Sequence, residues 1–173
     1  IRATVDPEMQ LQAAYALQGA LEQYDRGLGR WRGTGKKLAL EDLVSEESWR
    51  AALADVVVAR DVTLGSPWYA AVVLEVEENQ LRIGIEGVAA TEAEPQVVPR
   101  NDIEWMRGDF AENFAVGDVV HVRRMTADAD GSFIRWTLRQ VPEVQGGFMA
   151  MDVNTGRVIA MQGGFSYQNS VFN

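Results

Sequence analysis

The sequence predicts a mixed α+β chain in which a helix and a terminal β-hairpin flank a small, closed or partly open barrel of short strands. Three observations carry this. Apolar residues recur with helical spacing from Met9 to Tyr24, the period changes to 2 from Trp68 onward, and two apolar arms flank Val153-Asn154-Thr155-Gly156. Of 173 residues 47% are hydrophobic and 24% charged, enough for one sizeable core or two small ones. No apolar run approaches the roughly 20 residues that a membrane span needs, and no signal-peptide pattern opens the chain.

The first helix is predicted over residues 7–25. Asp6 can cap it, Pro7 suits its first position, and Glu8 favours the positive end of its dipole. Met9, Leu11, Ala13, Ala14, Leu17, Ala20, Leu21 and Tyr24 form a one-sided stripe that needs a surface to cover. Gly27, Gly29 and Gly33 end the pattern. Residues 30–40, which contain both lysines, read as a loop and a boundary. A second helix is expected over residues 45–54, with Trp49 and Leu53 on its buried face.

Strands are expected at residues 69–77 and 80–86, joined through Glu78-Asn79 as a hairpin. Others are expected at 96–98, 103–107, 119–124 and 133–140. Gly117-Asp118 supplies a tight turn, and the stretch from Ala127 to Gly131 another. Past Pro142 the arms of the last hairpin read as central strands covered on both faces, although two strands are not stable alone. Residues 163–173 carry no stop signal, so the chain reads as cut from something larger.

Chemistry is restricted by what is missing. Without cysteine there is no disulfide, thiolate nucleophile or zinc–sulfur site. The single histidine, His121, sits in an alternating strand and reads as a surface or internally satisfied residue. The formal charge is −9, which disfavours a protein held by phosphate neutralisation. Glu75, Glu77 and Glu78 on a hairpin, and Asp128 with Asp130 in a turn, read as solvated carboxylates. The Asp128-Ala129-Asp130-Gly131 start of a calcium loop has no liganding glutamate after it. No metal or cofactor site is expected.

Thr4-Val5-Asp6-Pro7-Glu8-Met9-Gln10 and, far downstream, Val141-Pro142-Glu143-Val144-Gln145-Gly146-Gly147-Phe148 with Asn154-Thr155-Gly156-Arg157-Val158 and Gly163-Gly164-Phe165 resemble the bifunctional class A penicillin-binding proteins. Tyr24-Asp25-Arg26, Trp31-Arg32-Gly33, Gly117-Asp118-Val119-Val120 and Leu138-Arg139-Gln140 match more loosely. The resemblance implies that residues 1–29 and 142–173 are two segments of a transpeptidase domain, its first helix and opening hairpin. An OB-like domain, residues 30–141, would be inserted between them. The parent would be a glycosyltransferase and DD-transpeptidase of cell-wall peptidoglycan, membrane-anchored on the periplasmic face of the bacterial inner membrane.

Catalysis in that family uses Ser-x-x-Lys, Ser-x-Asn and Lys-Thr-Gly motifs. None is present: no serine stands three residues before Lys36 or Lys37, and neither Ser166 nor Ser170 is followed by the lysine. The piece itself is therefore expected to be a soluble, non-catalytic, regulatory module without catalytic residues or cofactor. Its partners would be the rest of the transpeptidase and an envelope protein, such as an outer-membrane lipoprotein activator. The alternative is an OB-fold binding module for a glycan strand or peptide. Trp105, Arg107, Arg123, Arg124, Arg135 and Arg139 are the candidate interaction surface. Nucleic acid is disfavoured, because residues 30–141 hold 13 basic against 19 acidic side chains.

Overall fold

A computed structural model describes residues 4–62 and 66–166. The expectations placed on the first three residues, on Ser170 and on the last seven positions lie outside the described residues. The chain forms two compact units, one from the two flanks (1–28 and 141–173) and one from residues 29–140.

In the flanking unit α1 runs Pro7–Gly27. The Asp6 carboxylate accepts the Glu8 and Met9 amides at 2.9 and 3.0 Å, satisfying two of the donors that a helix start leaves unpaired. Strands β7 (Gly147–Met151) and β8 (Val158–Gly163) pair antiparallel, with Met149 opposite Met161. Asp152 shapes the connecting turn by accepting the amides of Asn154 and Thr155 and the Thr155 hydroxyl. Those bonds, the Thr155 hydroxyl first, hold its carboxyl below the usual range.

The start of α1 lies along the edge of β8. The Asp6 amide donates to the Ile159 carbonyl at 2.8 Å, and the Thr4 hydroxyl to that of Val158 at 2.6 Å. Gln10 then does with its side chain what a neighbouring strand does with its backbone. Its Nε2 donates to the Met161 carbonyl at 2.8 Å, and its Oε1 accepts the Met161 amide at 2.9 Å. Gly146 permits the close approach further along, since a Cβ there would lie 3.2–3.3 Å from Leu21 and Leu17.

This packing corrects two expectations. The buried stripe of α1 is Ala13, Gln18, Leu21 and Asp25, while Met9, Leu11 and Tyr24 are exposed. The polar members are buried because they are bonded: Gln18 donates to the Phe165 carbonyl, and Asp25 accepts the Glu143 amide. The hairpin is not covered on both faces either. Phe148, Met149, Met151 and Met161 are exposed, and only Ala160 of the two strands is buried.

The second unit is a six-stranded antiparallel sheet. Its strands are β1 (Lys36–Lys37), β2 (Trp68–Val76), β3 (Gln80–Ile85), β4 (Val97–Pro99), β5 (Asp118–Thr126) and β6 (Phe133–Arg139). The order is β1-β5-β2-β3-β4, with β6 also on β5. Strand β5 is the hub. Lys36 lies opposite Val119, Ala70 opposite His121, and Leu138 opposite Val122. The short β1 falls inside the stretch expected to be a loop. The turn at Gly117 makes room for it, since any Cβ there would meet the Leu38 carbonyl at 2.8 Å.

Period-2 alternation gives the sheet two buried faces. Ala71, Val73, Leu81, Ile83, Ile85, Val120, Val122, Trp136 and Leu138 enclose the main core with Val98, Ile103, Phe110 and Phe114. On the opposite face Ala70, Val72 and Val119 pack under Leu38 and under Trp49 and Leu53 of α2 (Glu46–Asp55). Ser45 caps α2 by accepting the Ser48 amide at 3.1 Å. Trp49 fits because residue 84 has no side chain: a Cβ on Gly84 would stand 2.7 Å from the indole ring.

Residues 103–107, expected to be a strand, form a turn instead. Pro99 ends β4 by withholding an amide donor, a 3₁₀ turn covers Arg100–Asp102, and the next amides bond locally, Ile103 to Arg100 and Met106 to Ile103. No ladder joins β4 to β6 among the described residues, so the sheet is not a closed barrel. Where that ladder would run, the buried Asp102 carboxylate accepts the Leu138 amide at 2.9 Å and lies 3.6 Å from Arg135 Nε.

His121 is internally satisfied. It is 3% exposed, its Nε2 lies 2.9 Å from the Ala59 carbonyl, and its ring stands 5.7 Å from that of Trp68. Burial pushes its pKa below the ordinary 6.5, against the Ala59 hydrogen bond and with the help of Arg60. The folded state therefore binds this proton less readily than the unfolded chain. His121's contribution is complete above about pH 6.5 and is lost as pH falls through the lowered value. Urea midpoints measured from pH 7.5 to 5 are expected to fall in that window, and His121→Gln to flatten the dependence. Gly84→Ala is expected to cost about 1–3 kcal/mol by overpacking, with Trp49→Phe on the same background recovering part of it.

Candidate functional site

The candidate surface residues fall into two groups. Trp105 and Arg107 belong to the turn that replaces the expected strand. Trp105 is half-buried, with its ring 6.3 Å from Trp31 at 69°. The Arg107 amide donates to the Gly29 carbonyl at 2.9 Å, and its side chain covers Gly29. A Cβ there would meet Arg107 Cγ and Nε at 3.1 Å, and Gly29 has φ +69°, so this crossing takes glycine.

Arg123, Arg135 and Arg139 stand on β5 and β6. The register sets Arg123 opposite Thr137 and Trp68, Arg139 opposite His121, and Arg135 opposite Met125, which puts all three on one face of the sheet. They are not solvated alike: Arg139 is 7% exposed, and Arg135 reaches Asp102. Arg124, on the alternate face, is held by Glu94 through Nε at 3.0 Å and through Nη2, and lies over the Phe133 ring. That hydrogen-bonded guanidinium holds the Glu94 carboxyl below its usual range. The clefts beside Trp31, Trp49 and Phe110 are lined by none of Trp105, Arg107, Arg123, Arg135 and Arg139.

Other polar residues organise this unit, and sequence reading passed over them. Gln96 accepts the Ile85 amide at 3.1 Å and donates to the Val88 carbonyl at 2.9 Å. Arg50 reaches the Ile85 and Val88 carbonyls while its guanidinium lies 4.5 Å from the Trp49 ring centre. Arg60 pairs with Glu86 and caps the end of α2 through the Val56 and Leu53 carbonyls at 2.7 and 3.0 Å. Each of these cations is committed to backbone carbonyls, a structural use that leaves little for a ligand. Two acidic residues of the β2–β3 hairpin are likewise engaged, Glu75 with Arg82 at 2.7 Å and Glu77 with Gln80 at 2.8 Å.

A missed cleft lies in residues 31–37, which were expected to be only a boundary. It measures ≈ 430 Å³ and is lined by Trp31, the glycine-containing loop after it, and Glu112, Asn113 and Asp118. Its one sequence signal is the tryptophan beside Gly33 and Gly35. Among the described residues no three histidine or carboxylate side chains converge to hold a metal ion, and no helix is long and apolar enough to cross a membrane.

Gln140, the last residue of the sheet unit, ties its own end of that unit to the beginning. Its Oε1 accepts the Arg32 amide at 3.0 Å, and its Nε2 donates to the Arg30 carbonyl at 2.8 Å. Entry and exit of residues 29–140 thus lie side by side.

Comparison with known proteins agrees with the resemblance carried by the flanking motifs. All of the chain aligns with penicillin-binding protein 1A from Vibrio cholerae and from Rickettsia conorii, at 28% identity in both cases. It spans about a fifth of the length of these relatives (21% and 20%). The crystal structure of penicillin-binding protein 1A from Haemophilus influenzae superposes with a TM-score of 0.69 over 98% of this chain and 22% of that one, at 20% identity, which establishes likeness of fold. The family model for the penicillin-binding protein OB-like domain matches residues 31–144, well over half of the sequence and nearly all of the sheet unit. The chain belongs to the penicillin-binding protein OB-like domain family.

Proposed function

We propose that this chain is the part of a peptidoglycan synthase in which an OB-like module interrupts a DD-transpeptidase domain, and that the module regulates its host through protein contact. Residues 1–29 and 142–173 are then the two host segments, and residues 30–141 the insert. The observation that carries this reading is the Gln140 bridge to Arg30 and Arg32, which brings the two ends of the module together. A module entered and left at one place can be accommodated between two consecutive elements of a host without pulling them apart.

The reading assigns no catalysis to the chain itself. The family chemistry needs a serine next to a lysine base, and the two lysines here, Lys36 and Lys37, form the edge strand β1. By resemblance the parent polymerises glycan strands and cross-links stem peptides on the periplasmic face of the inner membrane. The module acts there as a docking surface for an envelope activator. Displacement of the module on binding would be felt at both attachments, at the first helix and at the hairpin. Arg123 and Arg135 on β5 and β6 and the Trp105–Arg107 turn are the proposed contact regions, Arg139 being buried in the sheet.

Two outcomes test the assignment. Excising residues 33–138 from the parent and joining the bridged ends is expected to leave basal cross-linking in place and to remove stimulation by the activator. Stimulation retained at its original level, set against the fivefold or greater effects typical of allosteric coupling (roughly 1–3 kcal/mol), would reject the regulatory role. The 173-residue chain is expected to show no covalent labelling by a fluorescent penicillin. Labelling of any serine would place the nucleophile inside it.

A further inference from the structure

The cleft beside Trp31 differs from its neighbours in what its side chains are left to do. At the cleft beneath α2, Trp49 is 5% exposed, Arg50 is bound to backbone carbonyls, and Arg82 is paired with Glu75. At the β1–β5 cleft the aromatic ring is half-buried and held by Phe114, 5.3 Å away, and by Trp105. Gly33 lies against it with bare backbone: its φ is +60°, and a Cβ at this position would sit 3.5 Å from Cζ2 and 3.7 Å from Nε1 of the Trp31 indole. Thr34 fixes the loop by donating its hydroxyl to the Val119 carbonyl at 2.5 Å and accepting the Lys36 amide at 3.2 Å.

The lining of the cleft includes the Lys36 donor and the Glu112 and Asn113 acceptors, as well as Arg32 and the Lys37–Asp118 pair. Among the described residues the Lys36 ammonium and the Glu112 carboxylate have no hydrogen-bond or ion-pair partner. Asn113 uses Nδ2 on the Arg107 and Asp109 carbonyls, at 3.2 and 3.1 Å, which leaves Oδ1 as its acceptor. Charges of both signs line the cleft, so it does not offer the one-signed field that holds a polyanion. Its ≈ 430 Å³ lies within the roughly 300–1,000 Å³ of ligand sites.

We infer that the Trp31 cleft binds a neutral oligosaccharide. One pyranose lies with its C–H face on the indole, and its hydroxyl or acetamido groups meet Lys36, Glu112 and Asn113. An apolar ring face beside a mixed set of donors and acceptors matches a sugar, which presents aliphatic hydrogens on its faces and hydroxyls at its rim. This site is independent of the proposed protein contact. Only the choice of an N-acetylated probe rests on reading the chain as part of a peptidoglycan synthase.

The test is titration of the 173-residue protein with chitotetraose, followed by amide and indole N–H chemical shifts. Saturable shifts are expected at the Trp31 indole and within residues 33–37 and 112–120, with a Kd of order 1 mM. Lys36→Ala and Glu112→Gln, both on the exposed rim, are each expected to weaken binding about threefold to tenfold without moving the urea midpoint. Gly33→Ala is expected to block it. Because Trp31 is also part of the core, the rim variants and not a Trp31 truncation decide the matter. Absence of saturable shifts, shifts confined to other residues, unchanged affinity in both rim variants, or equal binding of oligothymidylate or an alanyl stem peptide would each overturn the inference. Failure here leaves the activator experiment untouched, and the reverse is equally true.

Discussion

A compact unit whose two ends lie together must return its chain to where it left, and the architecture of residues 29–140 follows from that requirement. Closing a loop of roughly a hundred residues costs about 4 kcal/mol in its length-dependent entropy. The cost is met inside the module by the β2–β5–β6 ladders, and the Gln140 amide then locks the exit strand to residues 30 and 32. The flanking unit has a counterpart clamp, the buried Asp25 carboxylate accepting the Glu143 amide at 3.3 Å. Each clamp is a single polar side chain facing backbone, worth about 0.5–1.5 kcal/mol when made and more when a buried partner is left without it.

The same economy recurs in the sheet. Strand β5 serves both layers because its residues alternate: Val120 and Val122 belong to the main core, and Val119 to the layer beneath α2. Trp49 can descend only over the bare backbone of Gly84, so that layer depends on one missing methyl group. Where the sheet fails to close, Asp102 supplies the acceptor that a β4 carbonyl would have offered to Leu138. The carboxylate is tolerated in the interior because an amide and the Arg135 guanidinium surround it.

Much of this was legible in the residues. Asp6-Pro7-Glu8 placed the start of α1 and Ser45 that of α2, because capping chemistry is local. Alternation placed β2, β3, β5 and β6, and the matched flanks identified the family. What was missed depends on distant partners. Residues 103–107 alternate like a strand, yet the Ile103 and Met106 amides bond locally, because Pro99 has just ended β4. Lys36 and Lys37 become a strand only because β5 offers an edge. The exposed side of α1, Met9 and Leu11 among it, looks apolar enough to be buried, while Gln18 and Asp25 take its place inside through bonds to residues more than a hundred positions away. Arginine alternation suggested one surface, whereas Glu94 and Asp102, which hold Arg124 and Arg135, are brought in by the fold.

The side-chain pairing of Gln10 with Met161 has a directional consequence. An unpaired strand edge is an invitation to another chain, and at β8 the invitation is withdrawn by α1, whose amide group occupies the donor and acceptor positions a newcomer would need. Only the β7 side of this two-stranded sheet keeps its ladder positions open among the described residues. Any strand added to it therefore has one side on which to attach, the β8 side being taken by Thr4, Asp6 and Gln10.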